Sequence, residues 1–148
     1  MSSATNAYLC ADFSQPHTDM TRILIAVFLG GGLGSLMRYG VQSFLHLHIT
    51  PFTFPWATLG VNVVGSFLIG LFYALSARLG LSEETRLFLT TGLCGGFTTF
   101  STFSHEGLGM LRQGSYLPFL AYVTASVALG VTAALCGGWT GNTCLPKG

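Results

Sequence analysis

Long apolar stretches without ionised residues dominate the pattern of the chain. No Asp, Glu, Lys or Arg falls between Arg22 and Arg38, from Tyr39 to Ala77, from Leu87 to His105, or from Gln113 to Pro146. A helix that crosses a bilayer needs about 20 mostly apolar residues, so the stretch from Tyr39 holds a loop and one helix. The pattern predicts four helices: Ile23 to Leu45, Pro55 to Ala77, Thr85 to Leu111 and Tyr116 to Gly138. Pro51 and Pro55, then Gly80 with Glu83 and Glu84, then Gly114 punctuate short connections between them. Trp56 opens the second helix and Trp139 follows the fourth, one at each interface, as an aromatic belt requires.

Composition agrees. Half of the 148 residues are hydrophobic, 7% are charged and 20 are glycine, which places the chain among integral membrane proteins. The expected organisation is a disordered tail over residues 1–21, a transmembrane domain over 22–138 and a C-terminal tail over 139–148. The first tail lacks the basic start and apolar run of a signal peptide. If the N-terminus, second loop and C-terminus share a side, that side holds Arg22, Arg78, Arg86 and Lys147, and the other holds Arg112 and Arg38. So even a distribution leaves two readings open: a fixed topology with a cytoplasmic N-terminus, or insertion in both orientations with two copies packed antiparallel.

Polar residues inside the spans carry the functional question. Thr58, Asn62 and Ser66 recur every four residues and share a face of the second helix. A carboxamide in hydrocarbon is costly unless paired, so Asn62 is either interhelical glue or part of a wet pathway. Tyr122, Ser126 and Gly130 repeat the spacing on the fourth helix, and Gly30/Gly34 and Gly31/Ser35 suit close helix packing on the first. Arg38 either snorkels to the interface or raises the positive potential at a pore mouth. Glu106 either shapes an ion vestibule or, the favoured reading, reaches interfacial water. Cys10, Cys94, Cys136 and Cys144 show no metal-ligand spacing, although Cys136 and Cys144 can approach one another; His46 and His48 lack a third ligand.

The most informative segment is GLCGGFTTFSTFS, Gly92 to Ser104. It sets a Gly-Gly break and five hydroxyls inside an apolar span. Backbone freed by a break is tolerated at membrane depth only where protein or a water-filled cavity satisfies it. Phe97, Phe100 and Phe103 are spaced by three and are expected near one another on one face. Phenyl rings carry a positive edge, so a small bare anion can rest against them with hydroxyls and an amide replacing its water.

Three motifs together resemble the CrcB/Fluc family of fluoride channels: GGFTTFSTFS from Gly95 to Ser104, G-x-G-S-x-x-R-Y from Gly32 to Tyr39, and GVNVVGSFLIG from Gly60 to Gly70. The resemblance runs from about Arg22 to Gly138 and covers all four expected helices. It implies an all-α, four-span subunit in an antiparallel, dual-topology homodimer in the cell (inner) membrane, passively exporting fluoride and so lowering its cytoplasmic concentration. It also implies a fluoride pathway lined by Phe100, Phe103 and Asn62, with Thr58, Ser101, Tyr122 and Ser126 beside it. A structural Na+ on the dimer axis is implied too, held by the backbone carbonyls of Gly95 and Thr98. Carbonyls freed by a broken helix are hard ligands suited to such a cation. Two antiparallel copies would close a site that neither could make alone.

Two rivals stand against this reading. A proton-coupled small multidrug transporter of dual topology needs a carboxylate deep in a helix, and the sequence offers only Glu106, near a helix end. A scaffold or membrane enzyme is weaker, because no nucleophile, base and orienting group come together. Nothing calls for an organic cofactor or a nucleic acid.

Overall fold

Residues 17–48 and 54–143 are described by a computed structural model, with side chains of the first helix from Met20 to Leu45. Among them every regular element is helical: α1 His17–His48, α2 Trp56–Leu79, α3 Glu83–Leu87, a π-helical stretch Phe88–Cys94, α4 Gly95–Phe97, α5 Phe100–Arg112 and α6 Tyr116–Thr143. Three helices are long and apolar enough to cross a membrane: α1 from Met20 to Leu45, α2 and α6. The 24 residues of α2 span about 36 Å of helix, more than the ~30 Å hydrocarbon core. This is a multi-pass membrane protein. The third expected helix is instead a segmented run from Glu83 to Arg112.

Local chemistry sets the boundaries. Ser82 caps α3 by accepting from the Thr85 N–H at 3.3 Å, with Glu83 and Glu84 in the first turn where the helix dipole favours acids. Gly80, at φ 59°, takes the left-handed conformation that ends α2. The fourth helix outruns its expected end at Gly138. It continues to Thr143, where the Arg78 guanidinium bonds to the Gly141 and Asn142 carbonyls and neutralises its C-terminal dipole. At the other end of the chain α1 begins at His17, upstream of the expected tail boundary. Residues 1–16 and 144–148, and with them Cys10, Cys144 and Lys147, lie outside the described residues, as do Pro51 and the His46 and His48 side chains.

Packing falls into two pairs. α1 runs along the segmented helix in the same direction, with Arg22 4.0 Å from Glu84 at one end and Arg38 on Gly96 further along. α2 runs parallel to α6, with Ser66 against Gly130 and Ala74 against Gly141. Gln42 on Thr58 joins the end of α1 to the start of α2. Arg22, Arg78 and Arg86 therefore share one end and Arg112 lies at the other, as expected for these four; Arg38 is turned onto Gly96 instead, and Lys147 lies outside the described residues. Trp56 and Trp139 sit on the two ends of the α2/α6 pair, 55% and 72% exposed, as interfacial residues should be.

Both pairs depend on backbones in near contact. A Cβ on Gly34 would lie within 3.0 Å of the Phe97 N, and one on Gly137 within 3.0 Å of the Phe67 carbonyl carbon and the Leu71 N. Neighbouring backbone cannot swing aside as a side chain can. Gly137→Val is expected to cost more than about 3 kcal/mol, the upper range for overpacking, read as a lower melting temperature in detergent and loss of the folded peak on gel filtration.

The helix break and its polar surround

The Gly-Gly pair does not itself break the helix. Gly95 is helical, at φ −64° and ψ −37°, and the chain leaves helical geometry at Thr98 and Thr99. Side chains enforce that departure by taking the donors the helix needs. The Thr99 N–H, which would bond to the Gly95 carbonyl, donates to Asn62 Oδ1 at 2.8 Å, and Asn62 Nδ2 donates to the Thr99 carbonyl at 3.2 Å. One amide thus satisfies both backbone groups of the pivot residue. The Thr102 N–H, which would bond to the Thr98 carbonyl, donates to Thr99 Oγ1 at 3.2 Å and caps α5. Asn62 and Thr99 thus divert the helical donors of the Gly95 and Thr98 carbonyls, and the Phe97 carbonyl between them likewise receives no Ser101 N–H across the break.

The Gly96 carbonyl differs. It accepts from Arg38 Nε at 3.1 Å and from Ser35 Oγ at 3.4 Å, both reaching across from α1. Arg38 therefore does not snorkel to the interface; it is half-buried and turned onto the break. Gly96 owes its identity to this junction, because a Cβ there would lie within 3.0 Å of Gly31 backbone.

A cavity of about 250 Å³ opens beside the break, lined by Asn62, Gly65, Ser66, Thr98, Thr99 and Phe100 together with Ile69 and Cys94. Thr99 Oγ1 donates to Thr102 Oγ1 at 3.0 Å and lies 3.3 Å from Ser101 Oγ, extending the polar lining along the start of α5. Further on, Glu106 is not turned out to interfacial water, the reading favoured from sequence. It is half-buried and accepts from Thr58 Oγ1 at 2.8 Å and from the Tyr122 hydroxyl at 2.7 Å. Gln42 Nε2 donates to Thr58 Oγ1 at 3.4 Å and completes the chain of groups. A carboxylate so placed is held by one donor on each oxygen, which compensates its partial burial.

The aromatic expectation needs one correction. Phe97 belongs to α4, before the break, and is buried beside Gly65; it does not share a face with the other two. Phe100 and Phe103 do pair, with ring centres 5.6 Å apart, and Phe103 packs at a tilt against Tyr122 at 4.9 Å. Phe100 is 79% exposed in a single copy. Ser126, one turn beyond Tyr122, has a buried Oγ with no hydrogen-bond partner among the described residues. Each predicted residue thus lies at the break, on the Glu106 group, or on the α6 face that follows it. Ser35, Gln42 and Thr99 were missed. The first two are legible in hindsight, since Gly31, Gly34, Ser35, Arg38 and Gln42 form one helical stripe; Thr99 was hidden among equivalent hydroxyls.

Residues 25–138 match the family described as CrcB-like protein, Camphor Resistance (CrcB). A protein of Bacteroides fragilis named "Fluoride-specific ion channel FluC" is 50% identical over 121 residues, covering 80% of this chain and 95% of the relative. Relatives of the same name are 42% identical over 122 residues in Leptospira interrogans (82% and 95% covered) and 48% identical over 113 residues in Thermus thermophilus (76% and 88% covered).

Proposed function

The chain belongs to the CrcB-like family, and from that premise we propose that it is a fluoride-selective channel, passively exporting the ion across the cell membrane as an antiparallel, dual-topology homodimer. The observation that carries this reading is the polar file beside the break. Hydroxyl and amide groups from Ser66 and Asn62 through Thr99 and Ser101 continue toward Thr58, Glu106 and Tyr122, with the Phe100 and Phe103 rings alongside. A strongly hydrated anion enters hydrocarbon only if donors replace its water. Here the unpartnered Ser126 hydroxyl has its proton free, whereas those of Thr58 and Tyr122 are bonded to Glu106 and reach an anion only by turning from it; the ring edges of Phe100 and Phe103 add a positive surface that makes no demand on a proton.

Two features support the paired arrangement. Only 6 to 22% of the residues in the most apolar stretch of each candidate span are buried within one copy, which leaves apolar surface for lipid or a second copy. Phe100, on α5, is also 79% exposed in a single copy, an apolar ring that a second copy would cover. The Gly95 and Thr98 carbonyls fit a resident Na+, because both have lost their helical donors while Gly96 is engaged by Arg38. Bound there, Na+ would join the two breaks and add positive potential near the anion path. Within this chain, Asn62 holds the break open and Arg38 ties it to α1.

The transporter alternative rests on Glu106, the half-buried carboxylate such a mechanism requires. Its two oxygens are already taken by Thr58 and Tyr122. Potassium-loaded proteoliposomes with a fluoride electrode outside separate the readings: on adding valinomycin, rapid fluoride release without chloride release is expected. Electrically silent drug uptake driven by a pH gradient, with no fluoride release, would refute the channel.

A further inference from the structure

We propose that Arg38 is the charge filter of the cation site formed at the helix break, the residue that restricts it to a monovalent ion. This rests on the reading of Gly95 and Thr98 as cation ligands. Those ligands are neutral carbonyls, and Na+ and Ca2+ have nearly the same ionic radius, so the oxygens alone separate the two poorly. Discrimination must come from fixed charge nearby.

Arg38 supplies that charge by construction. It lies inside a candidate span, half-buried, on a helix whose Gly31 and Gly34 bring α1 backbone against the break. Its Nε is spent on the Gly96 carbonyl, the residue directly after Gly95, with Ser35 on the same oxygen. Among the described residues no carboxylate pairs with it: the ion pairs are Arg22 with Glu84 and Arg86 with Glu83. The backbone carbonyl that Arg38 bonds to offers a dipole but no neutralising charge. The full positive charge is therefore felt one residue from each ligand pair, in surroundings that screen it weakly.

Charge repulsion scales with the charge of the ion it acts on. If one guanidinium weakens Na+ binding by on the order of tenfold at this separation, it weakens Ca2+ binding by the square of that factor. The two Arg38 of a twofold dimer act on the same ion, which sharpens the preference. The hydrogen bond to Gly96 has a second consequence: it withdraws the Gly96 carbonyl, so that the break offers fewer oxygens for the larger cage that divalent ions prefer.

The test reads cation-dependent stability, without flux. Thermal unfolding of the full-length dimer in detergent is followed by fluorescence against NaCl or CaCl2, with N-methylglucamine chloride holding ionic strength. Wild type is expected to melt higher with Na+ and to be indifferent to Ca2+. In Arg38→Gln the half-maximal Na+ concentration should fall about tenfold or more, and Ca2+ should now stabilise. Arg38→Lys, which keeps charge but not the guanidinium fork, should retain the monovalent preference. If Arg38→Gln does not assemble alone, co-expression with wild type under a second tag gives a dimer with one guanidinium and half the shift on a logarithmic scale. An unchanged Na+ midpoint with no Ca2+ response in the Gln variant or the mixed dimer overturns the proposal, as does Arg38→Lys behaving like Arg38→Gln. A wild type indifferent to Na+ overturns the cation reading itself, and is told apart because no variant is needed to see it.

Discussion

Phe100→Ile is expected to lower fluoride efflux from proteoliposomes by about 100-fold or more while leaving the melting temperature of the assembled protein close to wild type. The magnitude is that of removing one preorganised electropositive group from a charged species in a water-poor site. Isoleucine is apolar and of comparable bulk, so it fills space without offering a positive ring edge. Phe100 is 79% exposed in the single copy and touches little besides Phe103; its loss has few fold-wide consequences there. Phe103→Ile tests the same idea less cleanly, because Phe103 also packs on Tyr122, which donates to Glu106. A drop in flux for Phe103→Ile can therefore come from a displaced Tyr122. Wild-type efflux from correctly assembled Phe100→Ile would remove the ring from the pathway.

The contrast between Phe97 and Phe100 shows where sequence pattern stops being informative. Spacing by three places residues on one face only while the helix continues, and here it ends between them. The break was legible as a region, from glycines and hydroxyls at membrane depth. Its mechanism was not, because it is made by Asn62, 37 positions away from Thr99, intercepting a backbone donor. Gly95 and Gly96 invited a conformational reading, yet among the described residues the positive-φ glycines are Gly80 and Gly114. At Gly96 the missing Cβ serves proximity to α1.

Glu106 and Arg38 follow the same logic. Charge near a helix end suggests water by default, and nothing local to either residue says otherwise. Their partners, Thr58 and Tyr122 for one and the Gly96 carbonyl for the other, come from other helices. By contrast the spans themselves were legible because hydrophobicity and charge gaps are local sums. The π-helical stretch Phe88–Cys94 lies between these cases. It leads into the short α4 that ends at the break, and we have no sequence signal for it.

Asn62→Ala should abolish both folding of the break and fluoride flux, with a loss of stability of about 2 to 6 kcal/mol. The substitution leaves the Thr99 N–H and C=O unpaired together, each costing about 1–3 kcal/mol when buried, in a place where water cannot readily substitute. Relaxation has one obvious route: the Thr99 N–H can return to the Gly95 carbonyl and the helix can close over. That route removes the cavity at Asn62 and consumes a carbonyl assigned to the cation. Asn62→Asp distinguishes lost bonding from lost shape, because it keeps an acceptor for the Thr99 N–H but sets a carboxylate oxygen against the Thr99 carbonyl. It should therefore be intermediate in stability and, carrying negative charge beside the path, as poor as alanine in anion flux. Hydrogen exchange at the Thr99 amide supplies the direct readout: protected in wild type and Asn62→Asp, and fast in Asn62→Ala unless the helix has closed. Protection in Asn62→Ala together with normal flux would mean that the break does not depend on Asn62, and the account of its origin would fall.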